Sequence, residues 1–146
     1  DGFDISMDAN FDFGDWGNFR SQITGGYTWS YEIDDGTNIA GLAGLPRWRA
    51  VWANQHFYGD FSFAWNVNYI GSQTTAASPT LDSLPSWTTH DLQVNYFTPW
   101  DGRISIGVDN ALDKDPVVDP GESRGFNFGL YNGYGRISYV RYVQSF

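Results

Sequence analysis

Cysteine is absent from the 146-residue chain, so no disulfide framework, zinc–thiolate centre or thiol nucleophile can be built from it. Cations are nearly as scarce. Eight Lys plus Arg stand against 17 Asp plus Glu, the formal charge is −9, and the one lysine is Lys114. That balance argues against a basic nucleic-acid face and against a polybasic patch for a membrane surface. Long apolar runs are missing too: the longest stretch of apolar residues and glycine, Ile39 to Leu45, is far short of the roughly 20 residues of a membrane helix. What the chain has in excess is rings, with 18% Phe, Tyr and Trp against 17% charged residues. Such a composition is odd for the surface of a soluble domain. Alternating strands of a membrane barrel survive the hydropathy test, because averaging along the chain cancels their two faces.

The pattern that replaces the missing runs has period two. Phe3, Ile5, Met7, Ala9, Phe11 and Phe13 alternate with Asp4, Ser6, Asp8, Asn10 and Asp12, which is the signature of a strand with unlike faces. After the turn-like Gly14-Asp15-Trp16-Gly17, alternation resumes with Phe19, Ile23, Gly25, Tyr27, Trp29, Tyr31 and Ile33. A third strand is expected from about Pro46 to Phe57, with Trp48, Ala50 and Trp52 on the apolar face and Arg47 and Arg49 opposite. On that assignment Asn54 and His56 fall among the apolar residues. Further strands are expected over Phe61–Tyr69, around His90–Tyr96, around Ile104–Asp109, and up to Phe146. No helical period interrupts them, so the fold class is all-β with about seven antiparallel strands.

Connections alternate between short turns near 14–17, 58–60 and 98–102 and long loops at 34–45, 71–87 and 110–132. That asymmetry is the habit of outer-membrane barrels, whose periplasmic turns are short and whose extracellular loops are long. Aromatic residues gather at both ends of the apolar face, with Phe13, Phe19, Phe61 and Phe146 at one end and Tyr27, Trp29, Tyr31 and Tyr69 at the other. Two interfacial girdles have this form. Seven antiparallel strands cannot close on themselves, because the first and last would run parallel. The expectation is therefore a piece of a larger barrel, cut before residue 1 and ending natively at Phe146. A soluble β-sandwich or lipocalin-like binder would use the same alternation with the apolar face as its core.

Candidate sites are few. His56 and His90 lie on different strands, outside any triad or metal-ligand spacing, and are expected to be packing residues. Asp34, Asp35, Asp113, Asp115, Asp119 and Glu122 could offer oxygen ligands to a hard cation, but solvated, turn-forming acids are the preferred reading and no metal or cofactor is assigned. Trp87, Phe126, Phe128 and Tyr131 are candidates for stacking on a sugar or an aromatic chelator, the alternative being a loop that packs on itself. Arg20 is expected to pair with Asp12, and Arg47 and Arg49 with Glu32, in the wall. No catalytic constellation is present, and the chain is expected not to be an enzyme.

Three stretches carry a family likeness: Leu84–Tyr96 (LPSWTTHDLQVNY), Gly102–Pro116 (GRISIGVDNALDKDP) and Leu130–Phe146 (LYNGYGRISYVRYVQSF). In this order and spacing they resemble the C-terminal part of TonB-dependent outer-membrane receptors, and Leu45–Trp52 (LPRWRAVW) also fits. The family pattern after the sixth strand reads Asn-Leu-Phe-Asp where this chain has Asn110-Ala111-Leu112-Asp113. The resemblance implies that residues 1–146 are the last seven strands, about the C-terminal third, of one barrel domain of about 22 strands. It further implies energised import of a scarce nutrient such as a ferric siderophore, cobalamin or a carbohydrate, in the cell outer membrane. The implied partners are membrane lipid, an N-terminal plug with the preceding strands, and TonB acting on an N-terminal box. Phe146, Tyr142 and Val140 would form the signal read by the barrel-assembly machinery, with Gln144 out of pattern. A passive pore or an adhesin barrel is the alternative within the membrane, and ligand identity is not legible.

Overall fold

The computed structural model describes residues 1–78 and 81–144, and within these all side chains except those of 76–78, 81 and 82. Seven strands form one antiparallel sheet in the order β1 (Gly2–Asp12), β2 (Asn18–Thr28), β3 (Trp48–Tyr58), β4 (Phe61–Ile70), β7 (Trp87–Phe97), β8 (Gly102–Asp109) and β9 (Ile137–Gln144). A separate hairpin, β5 (Gln73–Ser78) with β6 (Leu81–Leu84), rises from the connection between β4 and β7. This corrects the expectation of a plain loop over 71–87. The hairpin carries almost no apolar alternation, so its strand character comes from pairing with its neighbour and not from an amphipathic face.

Register fixes the faces. Met7, Ile23, Trp52, Val67 and His90 stand in one cross-strand row, and Ala9, Ser21, Asn54, Trp65, Leu92 and Val108 in the next. All apolar faces thus coincide, and Asn54 and His56 do lie on that face. The sheet does not bury it: Phe3, Met7, Trp52, Phe63, Trp65, Val94, Ile106 and Val140 are all exposed, between 39% and 75%. In water a surface of this size would be unsustainable, whereas hydrocarbon covers it at no cost. Asn54, only 5% exposed, meets that environment hidden. Ser21 Oγ donates to Asn54 Oδ1 at 2.9 Å, Trp52 Nε1 donates to Ser21 Oγ at 2.8 Å, and the Trp52 and Trp65 rings pack 5.2 Å apart beside them. His90 receives Trp65 Nε1 at 3.1 Å and stacks on that ring. Ser21 and His90 on the apolar face therefore accept indole donors and Asn54 is served by Ser21, which keeps these polar atoms from being stranded in an apolar medium.

At one rim Phe3, Tyr27, Trp29 and Trp48 form a ring cluster with centroids 4.7 to 6.0 Å apart. At the other, Phe61 packs on Tyr96 at 5.0 Å and Trp100 Nε1 donates to Tyr142 Oη at 3.1 Å. Gln144 belongs to this second group: its Nε2 donates to the Trp100 carbonyl at 2.8 Å and its Oε1 accepts from Tyr142. The polar residue in the C-terminal pattern is thus a clamp on the 98–101 turn. Val140 and Tyr142 stand on the apolar face as expected, and Phe146 lies outside the described residues.

The polar face holds Asp4, Asp8, Asn10, Arg20, Gln22, Gln55, Asn66, Asn68, Asp91, Gln93 and Asn95. Arg20 pairs with Asp8 at 3.1 Å and not with Asp12. Asp12 is already engaged, its Oδ1 accepting the Gly14 amide at 2.8 Å in the turn. Arg47 donates to the carbonyls of Thr28 and Trp29, while Glu32 accepts from Ser30 Oγ. The expected pairing of Arg47 and Arg49 with Glu32 is therefore replaced, for Arg47, by carbonyl capping. Gly107 leaves a notch into which the Tyr139 ring settles; a Cβ there would collide with the Cζ and Oη of that side chain. Tyr139 Oη reaches across β8 to Gln93 Oε1 at 2.7 Å, and Gln93, Asn95, Ser62 and Ser105 continue the chain of bonds with separations of 2.6 to 2.9 Å.

Candidate functional site

The apolar cluster that the described residues bury lies where the long connections meet the ends of β4 and β7, not on the apolar face of the sheet. Ile70, Leu84, Trp87, Val117 and Tyr131 form it, with Ala43, Phe126 and Leu130 packed against it. Connections 29–47, 71–86 and 110–136 therefore make one cap over one end of the sheet. Gln73 is its joint: Nε2 donates to Tyr131 Oη at 2.8 Å and Oε1 accepts the Gly44 amide at 2.7 Å. Ala43 and Thr74 add backbone bonds between the first and second connections. Burial raises the Tyr131 pKa above its ordinary value; the bond from Gln73 partly opposes this and the charge of Asp119 adds to it.

The polar motif positions after β8 set the third connection. Asn110, with φ 51°, trades bonds with Lys114 at 2.8 and 2.9 Å, a conformation that Asn tolerates better than most residues. Asp113, with φ 55°, accepts the Arg136 amide at 2.9 Å and faces its guanidinium at 3.6 Å, tying the start of the connection to its end. Leu112 is 72% exposed, so the polar positions of this motif, and not burial of Leu112, carry the turn.

The four candidate rings divide. Trp87, 6% exposed, donates Nε1 to the Asp115 carbonyl at 2.9 Å and meets Tyr131, 3% exposed, edge-on at 5.3 Å. Both are pillars of the cap. Phe126 is half-buried under Gly133 and stacks on Phe128 at 4.1 Å. Phe128 is 56% exposed, with the Arg124 guanidinium 5.4 Å from its ring centre. Neighbouring Tyr134, more exposed still, shares with Phe128 a pocket of about 460 Å³. Tyr134 was not anticipated; its flanking glycines, Gly133 and Gly135, are the one sequence signal that could have marked it as a projecting ring.

Beneath the cap, on the polar face, lies a larger cavity of about 840 Å³ lined by Asp4, Thr24, Thr28, Arg49, Asn68, Thr89, Asp109, Leu130 and Asn132 among others. Its wall mixes the hydroxyls and amides of the threonines and asparagines with apolar Ala50, Val51, Ile70 and Trp87, and it carries charges of both signs. Asp91, also there, is spent on structure, accepting Asn68 Nδ2 at 2.7 Å and the Asn110 amide at 2.8 Å. Among the described residues no three His, Asp or Glu side chains converge on a point that could hold a metal. The loop acids act locally instead: Asp35 takes the Thr37 amide at 2.8 Å, Asp119 the Gly121 amide at 2.9 Å, and Glu122 the Asn127 side chain at 3.0 Å. Hydrogen bonds from Thr37 hold the Asp35 carboxyl below its usual range. His56 lies near Phe19, at 6.5 Å between ring centres.

An antiparallel sheet with one face built for hydrocarbon, two aromatic rims and polar connections gathered at one end defines the wall of a membrane β-barrel. The match to a family model makes the class specific. Residues 1–111 match the TonB dependent receptor-like β-barrel, and the chain belongs to that family, whose members are outer-membrane barrels of nutrient transport that work with TonB. Neither the curated proteins nor the solved structures gave a match.

Proposed function

We propose that this chain is the C-terminal wall and part of the extracellular cap of an importer driven by TonB. Its cargo would be a scarce nutrient of the siderophore, cobalamin or carbohydrate kind. The observation that carries this reading is the pairing of a lipid-ready face with a polar face that is floored by hydrogen-bonded networks and roofed by a packed cap. An import path needs such a wall, dry outside and wet inside. Strands beyond the free edges of β1 and β9, together with a plug, would complete the barrel and contact TonB; β9 would be the strand handed to the assembly machinery. Phe128 and Phe126, with Arg124 beside them, form the ring-binding face that first meets cargo, because rings offer contact area at little entropic cost.

The test is uptake in cells carrying the full-length gene, a deletion, or the gene without functional TonB. Labelled ferric siderophore, cobalamin and oligosaccharide are supplied in turn. Uptake of one cargo that disappears in both the deletion and the TonB-deficient cells supports energised import. Uptake that survives loss of TonB and does not saturate would mean a passive pore, and would overturn the reading.

A further inference from the structure

Asn132 is the one asparagine of the sequence that glycine follows. Both residues are exposed, in the segment that leads from Tyr131 back to β9. Asn132 Oδ1 accepts the Tyr134 amide at 3.0 Å, which folds the side-chain carbonyl back over the main chain that follows it and draws electron density from Cγ. Among the described residues nothing accepts a hydrogen bond from the Gly133 amide or from Asn132 Nδ2. An attacking nitrogen and a leaving nitrogen thus stand unengaged on either side of one electrophilic carbon. Glycine is required beside them, because a Cβ at position 133 would collide with Phe126 Cζ. The packing of the cap therefore keeps the least hindered residue next to Asn132.

We propose that Asn132 is a self-modification site, at which the cap ages by cyclisation with Gly133. The Gly133 amide gives its proton to hydroxide, its nitrogen bonds to Asn132 Cγ, and the bond from Cγ to Nδ2 breaks, so that ammonia leaves and a five-membered imide joins the two residues. Water then opens the ring in one of two ways. Attack at Cγ breaks its bond to the Gly133 nitrogen and leaves aspartate. Attack at the main-chain carbonyl carbon of residue 132 breaks that carbon's bond to the same nitrogen and leaves isoaspartate, whose backbone runs through Cβ and Cγ. In sum an amide and water become a carboxylate and ammonium, with no change of oxidation state. Either product adds a negative charge to a chain already at −9. Isoaspartate also lengthens the main chain between two fixed points, Tyr131, held by Gln73 and edge-on to Trp87, and Gly133 beneath Phe126. The extra length cannot be taken up with both points in place, so the modification loosens the cap.

Asn127 is a control within the same connection. Its Oδ1 also accepts the amide two residues on, that of Gly129 at 2.9 Å, but Phe128 follows it and Glu122 Oε1 holds its Nδ2 at 3.0 Å. The full-length protein, folded in detergent, is kept at neutral and at mildly alkaline pH, then digested and read by fragment mass and by isoaspartate-specific methylation. The expected result is a gain of about one mass unit at position 132, at least ten-fold faster than at position 127 and faster at the alkaline pH, with isoaspartate and aspartate both present. Asn132→Gln, which would need a six-membered ring, is expected to stay unmodified over the same period. Limited proteolysis of the cap should be several-fold faster in the aged parent than in the fresh one, and unchanged by ageing in Asn132→Gln. Similar rates at positions 127 and 132, aspartate without isoaspartate, or conversion only after unfolding would overturn the site. Equal cleavage of the cap in fresh and aged parent, with position 132 converted, would overturn the loosening.

Discussion

At the scale of single residues, the positions that could not be settled from the sequence are those with two equivalent partners. Asn10 stands opposite Arg20 in register, which leaves Asp8 and Asp12 as alternative diagonal neighbours. The choice falls on Asp8 because the turn at Gly14 claims Asp12. Tyr131 was legible as a ring in a loop but not as a pin, since its partner Gln73 lies 58 positions away without any pattern to point to it. Its buried hydroxyl also gives the cap a pH dependence. Because folding raises the Tyr131 pKa above the ordinary 10.0, the stabilisation is fully present below about pH 10 and is lost as pH rises through the raised value. Tyrosine absorbance and limited proteolysis of the cap, followed together from pH 8 to 12 (roughly spanning the ordinary tyrosine range), are expected to show the connections opening on the alkaline side. In Tyr131→Phe that alkaline step should vanish, while the cap is weakened at every pH by about 1 to 3 kcal/mol from the orphaned Gln73 donor.

At the scale of elements, the sheet strands were legible because each has unlike faces, and most ends lie within a residue or two of the end of alternation. Two elements escaped. Alternation continues past Thr28 through Trp29, Tyr31 and Ile33, yet β2 stops, because the amides of 29 and 30 bond to Asp1 and that of Tyr31 to the Asn38 side chain. The β5–β6 hairpin escaped for the opposite reason: it pairs without an apolar face, and period-two reading sees only faces. Register across β7, β8 and β9 is fixed by the Tyr139 ring in the Gly107 notch with its hydroxyl on Gln93. Gly107→Ala should expel that ring and cost about 1 to 3 kcal/mol. Urea unfolding in detergent of Gly107→Ala, Tyr139→Ala and the double variant is the check. The double variant is expected to lose clearly less than the two single losses combined, because once the ring is gone the added methyl meets open space. Strict additivity would mean that the notch does not hold the strands.

At the scale of the whole molecule, the buried apolar residues among those described gather at one end, and the sheet is left to be solvated by lipid on one side. Two adjacent residues of β4 separate these environments. Val67 is on the apolar face, in the row of Trp52 and His90, and Asn66 faces the polar side beside Asp91. Val67→Arg should destabilise the protein by about 2 to 4 kcal/mol in bilayers, whereas Asn66→Arg, next to a carboxylate, should cost far less. Refolding yield and urea midpoint in lipid vesicles would distinguish the two. A larger loss at position 66 would mean that the faces had been assigned the wrong way round.

Tyr131 of the third connection closes on Gln73 of the second, which in turn holds Gly44 of the first. Three hairpins must therefore arrive on the same side of the bilayer before the cluster around Trp87 can condense, so position along the chain becomes position in time. Once condensed, the cluster resists the return of any one hairpin, since withdrawal would drag rings out of a packed interior. In kinetic terms the cap would work as a ratchet on biogenesis, with the segment around Tyr131 the last to be set in place.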